Sequence, residues 1–310
     1  MKKPTPKIYR TTNWSSYNQA LIKRGNISIW FDPKTQWYAQ PQGKHGRNQT
    51  YSDTAIQCCL MIKSLFRLSL RMVTGFVQSL IKLCGLNWTA PDYSTLCRRQ
   101  KHIDIAISYQ KSRDGLHLLV DSTGLKFLGE GEWKRKKHQP EYRRQWRKLH
   151  IGIDAETLQI RAVQLTTNNV SDSQVLGDLL DQIPLDERID SVYTDGAYDT
   201  KCCRKVISDR QAHAVIPPRK NAKPWKDSKI SSIERNELLQ TVKHLGRTLW
   251  KKWSGYHRRS LVETKMHCIK LLGDKLRARN FQSQVNEIHA RVAVLNKFTE
   301  LGRPHTQVVT

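Results

Sequence analysis

The chain has 310 residues, which corresponds to about two domains at the usual size of roughly 150 residues each. It carries 53 lysine and arginine residues against 27 aspartate and glutamate residues, a formal net charge of +26. Its hydrophobic content of 38% is enough for a folded core. The charge is too positive for an ordinary metabolic enzyme and indicates a polyanionic partner, with nucleic acid as the first candidate.

Membrane insertion, secretion and zinc binding are not expected from the sequence. The most apolar region, residues 55–83, is interrupted by basic residues, so we expect no transmembrane helix and no membrane partner. The first residues lead into a polar stretch, which predicts no secretory signal. The seven cysteines include the adjacent pairs Cys58–Cys59 and Cys202–Cys203, a spacing that suits neither disulfides nor zinc. We expect reduced thiols and a cytoplasmic protein.

Residues 1–110 are predicted to form an N-terminal arm followed by a helical unit. Residues 1–50 are polar and aromatic, typical of an arm with loosely structured turns. A helical pattern begins at Asp53, and apolar residues recur at three- and four-residue spacing from Leu70 until Gly85 ends the pattern.

A short basic helix is predicted after this turn. Thr89 with Asp92 three residues later resembles a capping box at its start, and the helix carries Arg98 and Arg99. The long helix, the turn and the basic helix together resemble a helix-turn-helix, in which Arg98 and Arg99 are candidate DNA contacts. The alternative is a helical bundle with a solvated basic face, and the pattern leaves both open.

The pattern changes from helices to strands at residue 115. Apolar runs bounded by turn residues predict five strands, at 116–120, 149–154, 159–166, 189–194 and 212–216. We expect Asp172 to cap one helix, residues 199–209 to form a second, and residues 256–279 to form a long third helix. This order predicts an α/β domain over 111–300, with a basic insert at about 217–255 and a tail at 301–310.

Two aspartates follow predicted strands directly. Asp121 and Asp195 each end a strand and precede small residues. Functional sites in open α/β sheets form beyond the carboxyl ends of strands where the strand order reverses. If these two strands are neighbours, the carboxylates converge at about one strand spacing, ~5 Å, and would suit Mg²⁺ or Mn²⁺. Each aspartate taken alone is better explained as a turn former.

The predicted long helix carries a polar stripe. Tyr256, Arg259, Glu263 and Lys270 fall within a sector about 60° wide, at roughly 100° per residue. Such a stripe suits a phosphate backbone and a metal ion, with Tyr256, Arg259 and Lys270 as candidate DNA contacts. Asp274 lies too far along the helix to share an ion with Glu263. The alternative is a solvated surface stripe with an Arg259–Glu263 ion pair.

A dense basic segment and three tryptophans complete the candidates. Residues 134–150 contain eight basic residues against one acidic residue, which predicts phosphate contact, the alternative being a solvated loop. Trp225, Trp250 and Trp253 suit either base stacking or core packing. The basic candidates are Lys134, Arg135, Lys136, Lys137, Arg143, Arg144, Arg147 and Lys148.

Several short motifs together resemble the DDE transposases of bacterial insertion sequences, specifically the insertion-sequence-5 family. The spacing of Tyr256, Arg259, Glu263 and Lys270 matches the family's signature around its third acidic residue. The resemblance covers roughly residues 90–300, and it departs from the family at Gln139, where glycine is expected. The other matching segments are 121–126, 129–133, 146–150, 194–199, 216–220 and 253–259.

The resemblance implies a ribonuclease-H-like catalytic fold, a mixed five-stranded sheet with helices on both faces. It also implies that Asp121, Asp195 and Glu263 are the catalytic residues and bind two Mg²⁺ ions, with Mn²⁺ as a substitute. The implied partner is double-stranded DNA, both terminal inverted repeats and target, bound by a homodimer in the bacterial nucleoid. The implied reaction is DNA cleavage and strand transfer by in-line phosphoryl transfer. The alternatives are a nuclease of the same fold without joining activity, and an inactive DNA-binding remnant that acts as a repressor.

Overall fold

The computed structural model describes residues 8–41, 48–112, 114–128, 137 and 145–309. The chain divides into two compact units, one formed by residues 1–108 and 293–310 and the other by residues 109–292. The first unit therefore includes the C-terminal residues, whereas the sequence analysis places the boundary at 110 and separates only a tail at 301–310.

The first unit is mainly helical. Its termini meet in a two-stranded antiparallel sheet, in which Ile8 pairs with Val309. Phe298 packs edge-on against Trp30, with the ring centroids 5.3 Å apart. These contacts explain why the last residues belong to the first unit. Its elements are β1 (Ile8–Thr11), α1 (Trp14–Arg24), α2 (Ile27–Trp30), α3 (Asp53–Leu65), α4 (Leu70–Leu83), α5 (Tyr93–His102) and β8 (Thr306–Val309).

Helices α3, α4 and α5 pack against one another, and both the long apolar helix and the short basic helix of the sequence analysis are present. The predicted capping box at Thr89 is wrong, because Asp92 itself caps α5 by accepting a hydrogen bond from the Ser94 amide at 2.8 Å. The connection from α4 to α5 runs over residues 84–92. It is longer than the three- or four-residue turn of a helix-turn-helix, so that motif stays a prediction.

The second unit is an α/β domain. The last helix contributes its residues up to 292 to this unit. Its elements are β2 (Leu116–Phe127), β3 (Arg147–Asp154), β4 (Ile160–Thr167), α6 (Asp172–Asp181), β5 (Ile189–Tyr193), a 3-10 helix (Gly196–Tyr198), α7 (Lys201–Asp209), β6 (His213–Val215), α8 (Ile230–Leu245), α9 (Arg247–Trp253), a 3-10 helix (Tyr256–Arg259), α10 (Ser260–Leu271), β7 (Lys275–Leu276) and α11 (Phe281–Leu301).

The sheet has the order β4-β3-β2-β5-β6, and this confirms that the first and fourth predicted strands are neighbours. The β2–β3 and β3–β4 pairs are antiparallel, whereas β2–β5 and β5–β6 are parallel. A sixth short strand, β7, pairs with the end of β2, so the sheet has six strands where five were expected. Leu118 and Val120 pack into one apolar cluster with α6 and α7, while α10 contacts β2 and β3.

Strand β2 is longer than predicted. It continues through Asp121 and the following small residues to Phe127, so these residues do not form a turn. The antiparallel pairing with β3 explains the difference, since Asp121 faces Ile151 and Leu125 faces Arg147 across the ladder. The pairing partner was decided by tertiary structure, and it overrides the weak strand propensity of Ser122 and Gly124.

The predicted long helix over 256–279 is wrong in its bounds. It begins as a 3-10 turn, continues as α10 and ends at Leu271. Arg291 of α11 explains the end, because its guanidinium donates to the carbonyl oxygens of Gly273 at 2.6 Å and Lys275 at 2.9 Å. Leu276 then pairs with Phe127 as part of β7. Helices α8, α9 and α11 are additional to the sequence predictions.

The start of α6 and the state of the cysteines were also predicted. Asp172 is the first residue of α6 and not its cap, because Ser171 and Gln174 form a capping box there. All seven cysteines are free in the structure. Within the described residues, no helix is long and apolar enough to cross a bilayer.

A buried ion cluster joins the insert to the sheet domain. Asp199 accepts a hydrogen bond from Arg204 Nε of α7 at 2.9 Å and one from Arg235 Nη2 of α8 at 3.2 Å. The side chains of all three residues are almost inaccessible to solvent. Removing the carboxylate would leave two buried guanidinium groups without their counter-charge.

We predict that Asp199→Ala lowers the free energy of unfolding by about 3–5 kcal/mol, measured by urea denaturation, because of these uncompensated buried charges. Asp209→Ala, at an exposed position near the end of α7, is the control and should change stability by no more than about 0.5 kcal/mol. Equal stability of the two variants would contradict a structural role for the Asp199 cluster.

Candidate active site

Asp121 and Asp195 lie at equivalent positions on neighbouring chain segments. The parallel pairing of β2 and β5 ends at Leu119 and Tyr193, and each aspartate follows two residues later. Side chains alternate along a strand, so Asp121 lies on the sheet face opposite to Val120 and the apolar cluster. The structure therefore places both acidic residues at the same edge of the sheet, just past the last paired residues.

Asp121 is partly buried, and its environment raises the pKa of its carboxyl. Burial raises the pKa of the Asp121 carboxyl, and the nearby negative charge of Asp195 adds to the effect. Two donors act in the opposite direction: the Ser122 amide donates to Asp121 Oδ1 at 2.8 Å, and Arg259 Nη1 donates to Oδ2. Burial outweighs these donors, which makes the site receptive to added positive charge.

Asp195 has a second structural role as a helix cap. Its Oδ1 accepts a hydrogen bond from the Ala197 amide at 2.9 Å and so begins the 3-10 helix Gly196–Tyr198. The carboxylate is held at the edge of the sheet by this bond, because the residue is fixed between β5 and the helical turn.

Arg259 connects Asp121 with Glu263. Its Nη1 donates to Asp121 Oδ2, and its Nη2 donates to Glu263 Oε1 at 2.5 Å. Burial disfavours the charged guanidinium, but the negative charge of Asp121, followed by Tyr256 and Glu263, outweighs it and raises the pKa of Arg259. Glu263 lies in the first turn of α10 and is exposed. The arrangement places a positive charge between two of the predicted catalytic carboxylates.

Tyr256 and Lys270 also face the sheet domain. Tyr256 is buried against Trp250, with ring centroids 5.8 Å apart, and burial raises the pKa of its hydroxyl. The Lys270 ammonium donates to Thr123 Oγ1 at 2.7 Å. The helix therefore places Arg259 and Lys270 against two residues of β2, Asp121 and Thr123.

The donor set of this site is chemically suited to a divalent cation. Asp121, Asp195 and Glu263 supply hard carboxylate oxygens, and Arg259 shows that a positive charge is accommodated between two of them. In the part of the chain that the structure describes, no three His, Cys, Asp or Glu side chains are close enough to hold a metal ion together. Sharing an ion therefore requires a rearrangement of side chains in which Arg259 leaves the carboxylates.

The basic candidates differ in what they contact. Lys137 and Arg98 are exposed. Arg99 is bound to Asp53 in an ion pair inside the first unit. The predicted candidates that lie outside the described residues are Lys134, Arg135, Lys136, Arg143 and Arg144.

Arg147 and Lys148 are used within the second unit. Arg147 Nε donates to Gln284 Oε1 at 2.9 Å, and its guanidinium lies over the Phe127 ring. Lys148 Nζ donates to Asp172 Oδ1 at 3.0 Å and to the Val170 carbonyl at 2.9 Å. Both side chains would have to give up these contacts, at least in part, to bind phosphate.

The three tryptophans have different surroundings. Trp250 is buried against Tyr256, and Trp225 is half-buried below the guanidinium of Arg235, which lies 4.6 Å from the ring centroid. Trp253 is 78% exposed. Core packing therefore accounts for Trp250 and much of Trp225, and Trp253 is the exposed one of the three.

A polar network beside Asp121 was missed by the sequence analysis. Asp172 Oδ1 accepts hydrogen bonds from Ser122 Oγ at 2.8 Å and Lys148 Nζ, and it lies 3.7 Å from His150 Nδ1. His150 Nε2 is 2.9 Å from Thr166 Oγ1. Ser122 and His150 face each other across the β2–β3 ladder, so alternation along the strands was the available signal.

Two stretches of the chain match known family models. Residues 112–297, more than half of the chain, match the family model of a transposase DDE domain. Residues 22–130 match a second family model with the same description. The first match includes Asp121, Asp195 and Glu263.

His150 is expected to make stability depend on pH. Burial lowers the pKa of its imidazole to about 4, although the charge of Asp172 acts in the opposite direction. The folded-state pKa is below the unfolded value of about 6.5, so the stabilisation is fully present above pH 6.5. It is lost as the pH falls towards 4, by up to about 3 kcal/mol.

We predict that His150→Gln reduces the loss of unfolding free energy between pH 7 and pH 4.5, measured by chemical denaturation at both pH values. His267→Gln, at an exposed position on α10, is the control and should keep the wild-type pH dependence. A His150 variant with the wild-type dependence would show that other groups control acid destabilisation.

Proposed function

Because the chain belongs to the family of transposase DDE domains, we propose that it binds the ends of a bacterial insertion sequence and catalyses their cleavage and strand transfer. The observation that carries the proposal is the convergence of Asp121 and Asp195 at one sheet edge, with Glu263 joined to Asp121 through Arg259. The family acts on DNA, and the net charge of +26 suits that substrate. The proposal places the protein at the bacterial nucleoid.

Asp121, Asp195 and Glu263 are the proposed ligands of divalent cations, Mg²⁺ or Mn²⁺. When bound, two such ions would stabilise the attacking and leaving oxygens of an in-line phosphoryl transfer. Burial and carboxylate repulsion, which raise the pKa of Asp121, are relieved by added positive charge. The proposal is supported by the hard-oxygen character of the three side chains.

Arg259 and Lys270 are the proposed phosphate ligands. A DNA phosphate competes with Asp121 and Glu263 for the guanidinium of Arg259. When the guanidinium moves to the phosphate, both carboxylates become free to bind a metal ion. Lys270, now bound to Thr123, can turn to a neighbouring phosphate. Tyr256 is held beside them by its packing on Trp250.

Binding of the terminal repeats is assigned to the first unit. Arg98 lies exposed on α5 and is the proposed contact to the DNA backbone, whereas Arg99 is held by Asp53. Two element ends must be joined in one reaction, so we propose a homodimer on DNA. The basic residues of the segment 134–150 are further proposed contacts to the DNA backbone.

We predict that Asp121→Ala, Asp195→Ala and Glu263→Ala each abolish Mg²⁺-dependent cleavage and leave end binding nearly intact. The reason is that the three carboxylates act as one unit on the reacting phosphate. Cleavage and joining are measured on DNA carrying the repeats that flank the coding region, including ends already cleaved to a free 3′-OH. Asp274→Ala, exposed beyond the end of α10, is the control and should retain activity.

The outcomes separate the alternatives. Joined products from precut ends identify a transposase, and cleavage without joining identifies a nuclease. Binding without either reaction in the wild type identifies a DNA-binding remnant. Retained cleavage in any one of the three variants removes that residue from the proposed site.

We also predict a steep salt dependence of end binding. A chain that neutralises about six phosphates has a slope of about −5 for the logarithm of the binding constant against that of the salt concentration. Arg98→Gln should reduce the magnitude of this slope by about 1, measured by fluorescence anisotropy. Lys111→Gln is the control, because its ammonium is already paired with Asp186 at 2.7 Å. Equal slopes for wild type and Arg98→Gln would remove Arg98 from the interface.

A further inference from the structure

A cavity that the proposed mechanism does not use lies between the sheet and the helices of the insert. Its volume is about 610 Å³, which is within the usual size of a small-molecule site. Strands β2, β5 and β6 form its floor, and helices α8 and α9 form its wall. The floor includes His117, Ser191 and Tyr193, and the wall includes Glu234, Glu237 and Trp253.

The cavity is distinct from the acidic site, although both lie on the same face of the sheet. His117 precedes Asp121 by four residues on β2, so alternation places their side chains on one face, about 13 Å apart at about 3.3 Å per residue. Asp121, Asp195 and Glu263 are not among the described residues that line the cavity. The space can therefore hold a ligand of its own.

Two acidic residues of an otherwise basic insert line this cavity. The acidic residues of the segment 217–255 are Asp227, Glu234 and Glu237. Asp227 is paired with Lys201 at 2.6 Å, whereas Glu234 and Glu237 lie one turn apart on α8 and border the cavity. Both glutamates are exposed, and among the described residues neither carboxylate has a hydrogen-bond or ion-pair partner. The insert thus offers two available negative charges here.

The arginine and the third carboxylate that line the cavity are already paired. Arg204 is bound to Asp199 at 2.9 Å, and both side chains are buried. Asp190, on β5, is bound to Arg188 at 2.7 Å. A cation that enters the cavity can therefore meet the two glutamates of α8 without breaking an existing ion pair.

Aromatic rings stand beside these carboxylates. Trp250 lines the cavity from its buried position, and Trp253 lines it while 78% of its surface stays exposed. The imidazoles of His117 and His213 add polar groups to the floor. Aromatic faces attract organic cations through the ring quadrupole, and neighbouring carboxylates add to this attraction. The lining is therefore typical of a site for an organic cation.

We propose that this cavity binds a linear polyamine, whose ammonium groups pair with Glu234 and Glu237 and whose alkyl chain lies against Trp250 and Trp253. The net charge of +26 repels cations at long range, so binding depends on these local contacts. A metal ion suits the lining less well, because no three metal-ligating side chains of the described residues are close enough to hold one. The inference does not depend on the proposed function.

The test titrates spermidine into the full-length chain by isothermal titration calorimetry at constant ionic strength. We expect wild type to show saturable binding to a single class of site. The double variant Glu234→Gln/Glu237→Gln should raise the dissociation constant about tenfold, because two ion pairs are lost. Trp253→Ala should raise it about fivefold through the loss of the cation–π contact. All three side chains are exposed, so the variants should fold normally.

Matched substitutions outside the cavity are the controls. Glu156→Gln removes an exposed carboxylate from the turn between β3 and β4. Trp14→Ala removes an indole that is 61% exposed on α1. Asp121→Asn changes the acidic site. All three variants should bind spermidine with wild-type affinity.

Each contrary result overturns the inference and leaves the proposed function standing. Wild-type affinity in the glutamate double variant or in Trp253→Ala would remove those side chains from the site. Loss of binding in Asp121→Asn would place spermidine at the acidic site instead. Tighter binding of adenosine, an uncharged aromatic ligand, would show that the cavity selects rings and not cations. No saturable binding of spermidine to wild type would show that the cavity is not a polyamine site.

Discussion

The guanidinium of Arg259, placed between the carboxylates of Asp121 and Glu263, is the interaction on which the arrangement of the site depends. The fold brings Asp121 and Asp195 to one sheet edge, where burial and mutual repulsion raise the pKa of Asp121. Arg259, the last residue of the 3-10 helix that leads into α10, offsets this repulsion and anchors that segment to β2. Arg259 neutralises part of the negative charge of these carboxylates, and a metal ion would do the same in the proposed reaction.

Buried charges also organise the structure around the site. Asp199, four residues after Asp195, holds Arg204 and Arg235 and so attaches the insert helix α8 to the sheet domain. Neighbouring aspartates in one short motif thus have different tasks, because one is partly accessible at the sheet edge and the other is enclosed by two arginines. Substitutions at the two positions should therefore affect activity and stability separately.

The sequence patterns located most strands well but not their ends. Apolar runs reflect strands that are buried on both faces, and they identified the segments that became β3, β4, β5 and β6. The end of β2 was predicted seven residues early, because Ser122 to Gly124 have turn propensity and only the pairing with β3 extends the strand. The end of α10 is set by Arg291, which is distant along the chain and therefore invisible to local patterns.

The candidate residues Asp121, Asp195 and Glu263 were determined by the sequence alone, since their positions after strands and on a helical stripe follow local periodicity and a family resemblance. Tertiary structure decided which groups meet. It paired Arg259 with two carboxylates and turned Arg147 and Lys148 towards internal partners. Spacing along the chain specifies the direction of a side chain, whereas its partner depends on packing between elements that are remote in sequence.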